Sequence, residues 1–570
     1  MGIPSYFSYI IKNHSNIIRN LKHHKKHAET VFHGLYMDCN SIIYDAVHTI
    51  EKTDEAYRPM TYEDKSSPTA TRTEFFTNSR HRFEQSVIDA VVLHIRNYIH
   101  LISPTNVLYI AFDGVAPLAK MDQQRTRRYK TAFMSAISYE NREYALTNSS
   151  DNKWNTTAIT PGTLFMEKLS KRIHSEFSST NTIGMGLANN INIIVSTSTE
   201  PGEGEHKMFT YMREHVKPSE NIAVYGLDSD LIMLSILHST MCRNIFIFRE
   251  TPQFSKSILP THLRNDTTEF LFLDIRALTS SILYEMGSRD YTTQRIYDYI
   301  LVSVLLGNDF LPHMVSLNLR GTGMELILQM YNEHIAKRQV YLVSADRKII
   351  WKNMKYFIGK LAELEHANIV NEFAHRAKMA KRKYPENTPE EREFVLLNTP
   401  LIYRGEEEYI CPTEEYWEMR YYRVCFPTLE PVRDICVNYL EGMEWVFRYY
   451  SEGCPHWRWK YQHHYPPLLV DLYKAIPETD CSLLTTIPYP NRPFHPLVQL
   501  SYVTPPISQV LLPANIREWL RSKYADLFIP IHKTQFSWMF CKYFWEAHVL
   551  LPDISMDVLG EWEKRISRKL

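Results

Sequence analysis

Six short apolar, β-branched runs punctuate the first half of the chain: "VFHGLYMD" (31–38), "NVLYIAFD" (106–113), "INIIVSTS" (191–198), "NIAVYGLD" (221–228), "NIFIFRE" (244–250) and "FLFLDI" (270–275). Between several of them lie stretches of helical period, at 85–102, 163–177 and 205–215. Such alternation predicts an α/β fold over about residues 31 to 310, a mostly parallel central sheet flanked by helices on both faces. Residues 51–82 and 145–158 are polar and weakly patterned, and are expected as loops or insertions.

Three of these runs end in aspartate: Asp38, Asp113, and Asp228 followed by Asp230. Glu203 and Glu205 flank a glycine in "PGEGEHKM" just after another run, and Asp309 sits where an apolar helix meets a Gly-Asn-Asp turn. Residues far apart in sequence converge at the carboxyl ends of parallel strands. Taken singly, an Asp after a strand is most often a helix N-cap, and paired acids at a helix start suit its dipole. Seven on one edge are harder to explain as caps, because carboxylates crowded in one cleft repel and raise each other's pKa. Bound cations remove that cost. An all-oxygen set points to Mg²⁺ or Mn²⁺, and two such ions are suited to phosphodiester cleavage.

Bulk properties restrict the partners. With 570 residues, 44% apolar and 22% charged content and zero formal net charge, the chain reads as an ordinary globular protein. Any nucleic-acid binding must then come from local patches. Two of these, "KHHKKH" (22–27) and "KMAKRK" (378–383), read by default as solvated surface. Eight scattered cysteines form no CxxC pair and are expected to be reduced. No apolar run reaches the length of a spanning helix, and "MGIPSYFSYI" is not a secretory signal.

The helix-like segment "AKMDQQRTRRYK" (119–130) would carry Lys120, Gln124, Arg127 and Arg128 mostly on one face. Three cations and an amide there make a cradle for a terminal phosphate, with arginine supplying forked hydrogen bonds. Beyond about residue 345 the texture changes to a basic stretch at 375–393 and then an aromatic-rich, proline-punctuated region, expected to be helical with ordered loops and packed on the first half.

In order along the chain, "MGIPSYFSYI", "YMDCNSIIYD", "FDGVAPLAKMDQQRTRRYKTA", "ITPGTLFM", "PGEGEHKM", "YGLDSDLIML" and "LLGNDFLPH" resemble the Xrn-type 5′→3′ exoribonucleases. The segments "VNYLEGMEWVFRYYSEGCPHWRWKYQHHYPP" (437–467) and "RPFHPLVQLSYVTPP" (492–506) are similar to that family's second conserved region. The resemblance implies a PIN/flap-endonuclease type of core at 1–345, linker or exposed helices at 346–400 and a second region at 401–570. It also implies that Asp38, Asp113, Glu203, Glu205, Asp228, Asp230 and Asp309 are the metal-site acids, and that Lys120, Gln124, Arg127 and Arg128 form a 5′-phosphate pocket.

For base stacking the family uses a histidine where this chain has Tyr44, paired with a tryptophan for which Trp457 and Trp459 are both candidates. The implied activity is processive 5′→3′ degradation of single-stranded RNA with a 5′-monophosphate, by a monomer in the cytoplasm. The long tail of cellular members is not evident, which suits a virus with a cytoplasmic phase or a divergent microbe. The competing readings are a flap-type DNA nuclease and a catalytically silent RNA-binding scaffold.

Overall fold

The computed structural model describes residues 2–3, 5–20, 31–53, 69–143, 154–177, 191–226, 228–250, 270–288, 291–318, 321–427 and 430–568. Six of the seven strands in its main sheet are the expected runs, trimmed at their ends. These are β2 (Gly34–Asp38), β3 (Val107–Ala111), β4 (Asn192–Ser196), β5 (Asn221–Tyr225), β6 (Asn244–Glu250) and β7 (Phe270–Asp274). The sheet order is β1-β7-β6-β5-β2-β3-β4, where β1 is Ile18–Asn20. The five strands from β6 to β4 run parallel, and β7 and then β1 add antiparallel at one edge. A three-residue strand carries too little pattern to be read in advance, and β1 was not foreseen.

Period-two alternation sends successive side chains to opposite faces, and both faces are covered. Tyr36, Tyr109, Ile222, Val224, Ile245 and Ile247 enter one core, while Leu35, Met37, Leu108, Ile110, Ala223 and Phe246 enter the other. The chain moves outward from β2 through β3 to β4 and returns to β5 on the other side of β2. That reversal lies between β2 and β5, the place where a parallel sheet opens a crevice at its carboxyl edge.

Helices α1 (Tyr6–Asn13), α2 (Asn40–Thr53), α3 (Thr69–Ile102), α4 (Leu118–Glu143), α5 (Leu164–Glu176), α6 (Gly204–His215) and α7 (Ser229–Leu237) belong to this half. The loop expected over 51–82 needs correction at its ends: α2 runs to residue 53 and α3 begins at residue 69, well before the expected 85–102, while 54–68 lies outside the described residues. Its first turns, "TATRTEFFTNSRHR", lack an apolar stripe, so periodicity detects only the part that packs against the core from Phe83 onward. Of the 145–158 stretch, residues 156–158 form a short 3₁₀ turn and 145–153 lie outside the described residues, as does the basic patch at 22–27.

The aromatic-rich half is helical, with a two-stranded antiparallel sheet, β8 (Gln535–Ser537) and β9 (His548–Leu550). Helices α8 (Thr293–Ser303), α9 (Trp351–Ala380) and α10 (Val432–Ser451) continue the first core without a break: Trp351, Phe357, Tyr439 and Trp445 are all buried in it. Within the stretch expected as linker or exposed helix, α9 buries its first turns, and Lys378, Lys381, Arg382 and Lys383 at its end are exposed. Later segments, including the helix Pro496–Val503, pack on Leu118 and Met121 of α4. All eight cysteines are unpaired. Among the described residues no helix is long and apolar enough to cross a membrane.

Candidate metal centre and phosphate pocket

Strand register brings the acids to one edge. Asp38 closes β2 opposite Ala111 of β3, two residues before Asp113, and Met37 lies opposite Tyr225 of β5, three residues before Asp228. Asn40 ties the first pair together. Its side-chain amide donates to Asp113 Oδ2, its Oδ1 accepts the Asp113 backbone N–H at 3.1 Å, and its own backbone N–H reaches Asp38 Oδ1 at 3.4 Å.

The glycine between the two glutamates has a geometric cause. Gly204 opens α6 and donates its backbone N–H to Asp113 Oδ1 at 2.7 Å. A Cβ on it would fall 2.8 Å from Asp38 Oδ1, so a side chain there would displace the carboxylate. The positive end of α6 thus faces two aspartates. Glu203 and Asp228 occupy the N-cap positions of α6 and α7, yet neither side chain caps its helix. Their carboxylates serve something else.

Glu203 accepts from the Tyr449 hydroxyl at 2.8 Å and from Lys120 Nζ at 2.5 Å, and Lys120 also bonds Asp309 Oδ2 at 2.8 Å. Asp230 accepts from the Tyr450 hydroxyl at 2.6 Å. Asp309 follows Gly307, whose φ of 80° lets the chain turn after α8 and a short 3₁₀ segment.

Electrostatic repulsion links the whole set. Burial, then Asp113, Asp228 and Glu203, pushes Asp38 well up; burial and then Glu203 raise Asp113. Burial, then Glu203, Asp230 and Asp38, raises Glu205, and Asp230 is pushed up to about 6, chiefly by burial. Asp309 is the exception: burial opposes its ionisation, but the Lys120 ammonium holds it well below the usual range. Lys207 donates to the carbonyl oxygens of Phe112 and Thr197 at 2.8 Å each, and burial pulls it down to about 8. Among the described residues the carboxylates outnumber the Lys120 and Lys207 ammonium groups beside them, and such an oxygen-rich set fits hard divalent cations.

His206, Tyr449, Tyr450 and Asn40 escaped the sequence reading. His206 lies with Glu203 and Glu205 in a group whose candidate ligand atoms are all within 4.8 Å of one another. Its ring stacks on Tyr449 at 3.7 Å, and burial holds it well below the ordinary imidazole value. Adjacency in "GEGEHK" and the paired tyrosines in "FRYYS" were the available signals.

The four residues expected to grip a phosphate are spread differently. Lys120 points into the acids. Gln124 is buried, and its Oε1 accepts from Gln499 at 3.2 Å. Arg128 donates from Nη2 to Thr160 at 2.6 Å, while its Nη1 is buried without a partner; burial lowers this guanidinium to about 10. Arg127 is exposed. Tyr44 is half-buried and close enough to Arg128 to act on its charge.

The two tryptophans differ sharply. Trp459 is 4% exposed, stacks on Trp445 at 5.3 Å and donates to Glu441 at 3.3 Å, which is core packing. Trp457 is half-buried, and its carbonyl accepts the Leu118 N–H at 2.9 Å, at the start of α4.

This arrangement agrees with comparison to known proteins. A model for the XRN 5′-3′ exonuclease N-terminus matches residues 1–251, and one for the Xrn1 helical domain matches 290–399 and 398–570. The chain belongs to the Xrn family. Similar curated proteins include "5'-3' exoribonuclease 1" of Saccharomyces cerevisiae, 26% identical over 93% of this chain and 41% of that protein. The "5'-3' exoribonuclease 1" of Homo sapiens is 28% identical over 97% of this chain and 33% of its own length. The "5'-3' exoribonuclease 2" of Arabidopsis thaliana is 25% identical over 94% and 65%. This Xrn-family chain therefore spans between 33% and 65% of the length of these relatives.

Proposed function

We propose that the chain is a 5′→3′ exoribonuclease acting processively on single-stranded RNA that bears a 5′-monophosphate, releasing nucleoside 5′-monophosphates. The observation that carries this reading is the convergence of acids from β2, β3, β5, α6 and the Asp309 turn, with Lys120 and Arg127 of α4 beside Asp309. Asp38, Asp113, Glu203, Glu205, Asp228, Asp230 and Asp309 would hold two ions, Mg²⁺ or Mn²⁺. When bound, these supply charge neutralisation and water activation for hydrolysis of the phosphodiester.

The remaining work falls to the chain. Asn40 and the Gly204 N–H orient Asp113, and Tyr449 and Tyr450 orient Glu203 and Asp230. Arg128, whose buried Nη1 has no partner among the described residues, is the first candidate for the terminal phosphate, and the resemblance assigns Arg127, Lys120 and Gln124 to the same pocket. Tyr44 and Trp457 are the stacking pair this geometry favours, with Trp459 left to the core. We read the unit as a monomer working in the cytoplasm, a setting that unpaired cysteines suit.

The test is degradation of 5′-monophosphate, 5′-triphosphate and flap-structured DNA substrates in Mg²⁺. Only the first should be consumed, and EDTA or Asp228→Ala should abolish it. Equal use of the triphosphate RNA, or cleavage of the flap in preference, would reject the reading.

A further inference from the structure

A cavity of about 1270 Å³ opens beside Asp309, larger than the roughly 300–1,000 Å³ of ordinary small-ligand sites. One wall is the face of α4 that carries Asp122, Thr126 and Lys130, and the others come from residues 306–318, 460–466 and 539–548. Of the site residues foreseen in the sequence, Arg127 and Asp309 line it, while Lys120, Gln124 and Arg128 do not.

Seven groups that carry or accept positive charge face four acids in the lining, and Arg127, Lys130, Lys460, His313, His464 and His548 are among the seven. The rings of His464 and His548 stack at 5.3 Å with 27° between their planes, and neither imidazole has a hydrogen-bond partner among the described residues. Lys130 rests on the carbonyl oxygen of Trp545 at 2.6 Å rather than on a carboxylate. Burial pulls Lys130 down to about 8, and burial followed by His464, Lys130 and His313 holds His548 well below the imidazole range.

Four acids share the lining. Asp122 accepts from the Tyr502 hydroxyl at 2.5 Å and from Lys460 at 3.3 Å, Asp309 is held by Lys120, Glu546 accepts the Lys542 N–H at 2.8 Å and acts on Lys130, and Glu393 is exposed. A bound anion would relieve the mutual repulsion of the basic groups. Phe310, Tyr461 and Trp545, one from each of the other three segments, add aromatic surface suited to a base.

We propose that this cavity is a nucleoside 5′-monophosphate site, with the phosphate on Lys130, His464 and His548 and the base on the aromatic wall. The inference rests on the exoribonuclease reading for the source of its ligand: each cleavage releases such a nucleotide at the acid cluster, and the cavity is the chamber beside it that receives the product.

Equilibrium binding of AMP to the full chain in EDTA tests this. AMP should bind at least roughly tenfold more tightly than adenosine or inorganic phosphate, because phosphate and base are both held. His464→Ala, at an exposed residue, and Lys130→Met should each weaken AMP by roughly tenfold or more, with the melting temperature of the His464→Ala protein measured alongside and expected unchanged. The inference is overturned if AMP does not bind, if phosphate binds equally well, or if Arg128→Ala abolishes binding that His464→Ala and Lys130→Met leave intact. RNA degradation is measured separately in Mg²⁺. Its absence would sink the nuclease reading, while AMP binding alone decides the cavity.

Discussion

The hydroxyl of Tyr449 donates to Glu203 at 2.8 Å across 246 residues of chain, and its neighbour Tyr450 donates to Asp230 at 2.6 Å. Successive residues on a helix point about 100° apart, so one turn of α10 reaches two separate carboxylates. A hydroxyl bonded to one carboxylate oxygen restricts its rotation and leaves the other oxygen aimed. The helical second half is therefore part of the acid site's geometry, not merely a cover over it.

Tyr449→Phe and Tyr450→Phe keep the buried rings and remove only these bonds. Partners that orient metal ligands typically contribute 10–100-fold in metal affinity or activity. The expected result is a fall of about that size, with more Mg²⁺ needed for half-maximal RNA degradation. A Mg²⁺ titration of the rate checks it, and an unaltered titration curve would remove the orienting role.

Without metal, the acid cluster should cost the fold more at neutral pH than in mild acid. Asp38, Asp113, Glu205 and Asp230 all have folded-state pKa values above those of a free carboxylate, Asp230 at about 6. A group raised in this way stabilises the fold while protonated, and that contribution fades as pH rises through the folded value. The lowered Asp309 acts in the opposite sense only in stronger acid. Buried histidines held low, His206, His238 and His548 among them, act in the opposite sense over the same window, so the acid cluster is read from the effect of Mg²⁺. The rise in melting temperature on adding Mg²⁺ to the EDTA-treated protein should grow as pH climbs from about 5 to about 7. A Mg²⁺-dependent rise that does not grow over this window would contradict the crowding of charge.

Trp457→Ala and Trp459→Ala should fail in different ways. Loss of a stacking platform is worth about 1–3 kcal/mol per base, so Trp457→Ala should shorten the run of nucleotides removed per encounter while leaving the unfolding midpoint alone. Trp459→Ala removes a ring packed on Trp445 and should cost about 3–5 kcal/mol of stability. Denaturant melts and single-encounter degradation assays separate the two, and the reverse pattern would exchange their roles.

Arg128→Ala should erode the preference for a 5′-monophosphate over a 5′-hydroxyl. Hydrogen bonds to a charged group contribute about 1.5–3 kcal/mol, or roughly 10- to 100-fold. Arg128→Lys should restore only part of it, because an ammonium lacks the planar fork. Competition between the two RNAs measures the ratio directly, and an unchanged ratio would move the end pocket elsewhere.

How much of this was legible in the sequence varied with the range of the interaction. The strands of the parallel core were readable because burial on both faces demands apolar runs, and their terminal aspartates stood out by contrast. The first turns of α3 were not, because a helix that has no apolar stripe leaves no period to detect. Helical spacing places Lys120, Gln124, Arg127 and Arg128 mostly on one face. That spacing could not foresee that Glu203 and Asp309 would draw Lys120 inward, or that Thr160 and Gln499 would engage Arg128 and Gln124.

Local sequence determined where strands end and which residue types meet at that edge, since each follows from the pleat itself; the glycine between Glu203 and Glu205 answers instead to Asp38 and Asp113, brought from other strands. Only the tertiary structure decided that Tyr449 and Tyr450 brace those acids, that Trp459 is core while Trp457 is not, and that a basic chamber lies beside Asp309. Those outcomes depend on where α10 and the segments after it settle on the sheet. That docking is fixed by apolar surfaces complementary in shape, and shape is not carried by the order of residue types along a chain.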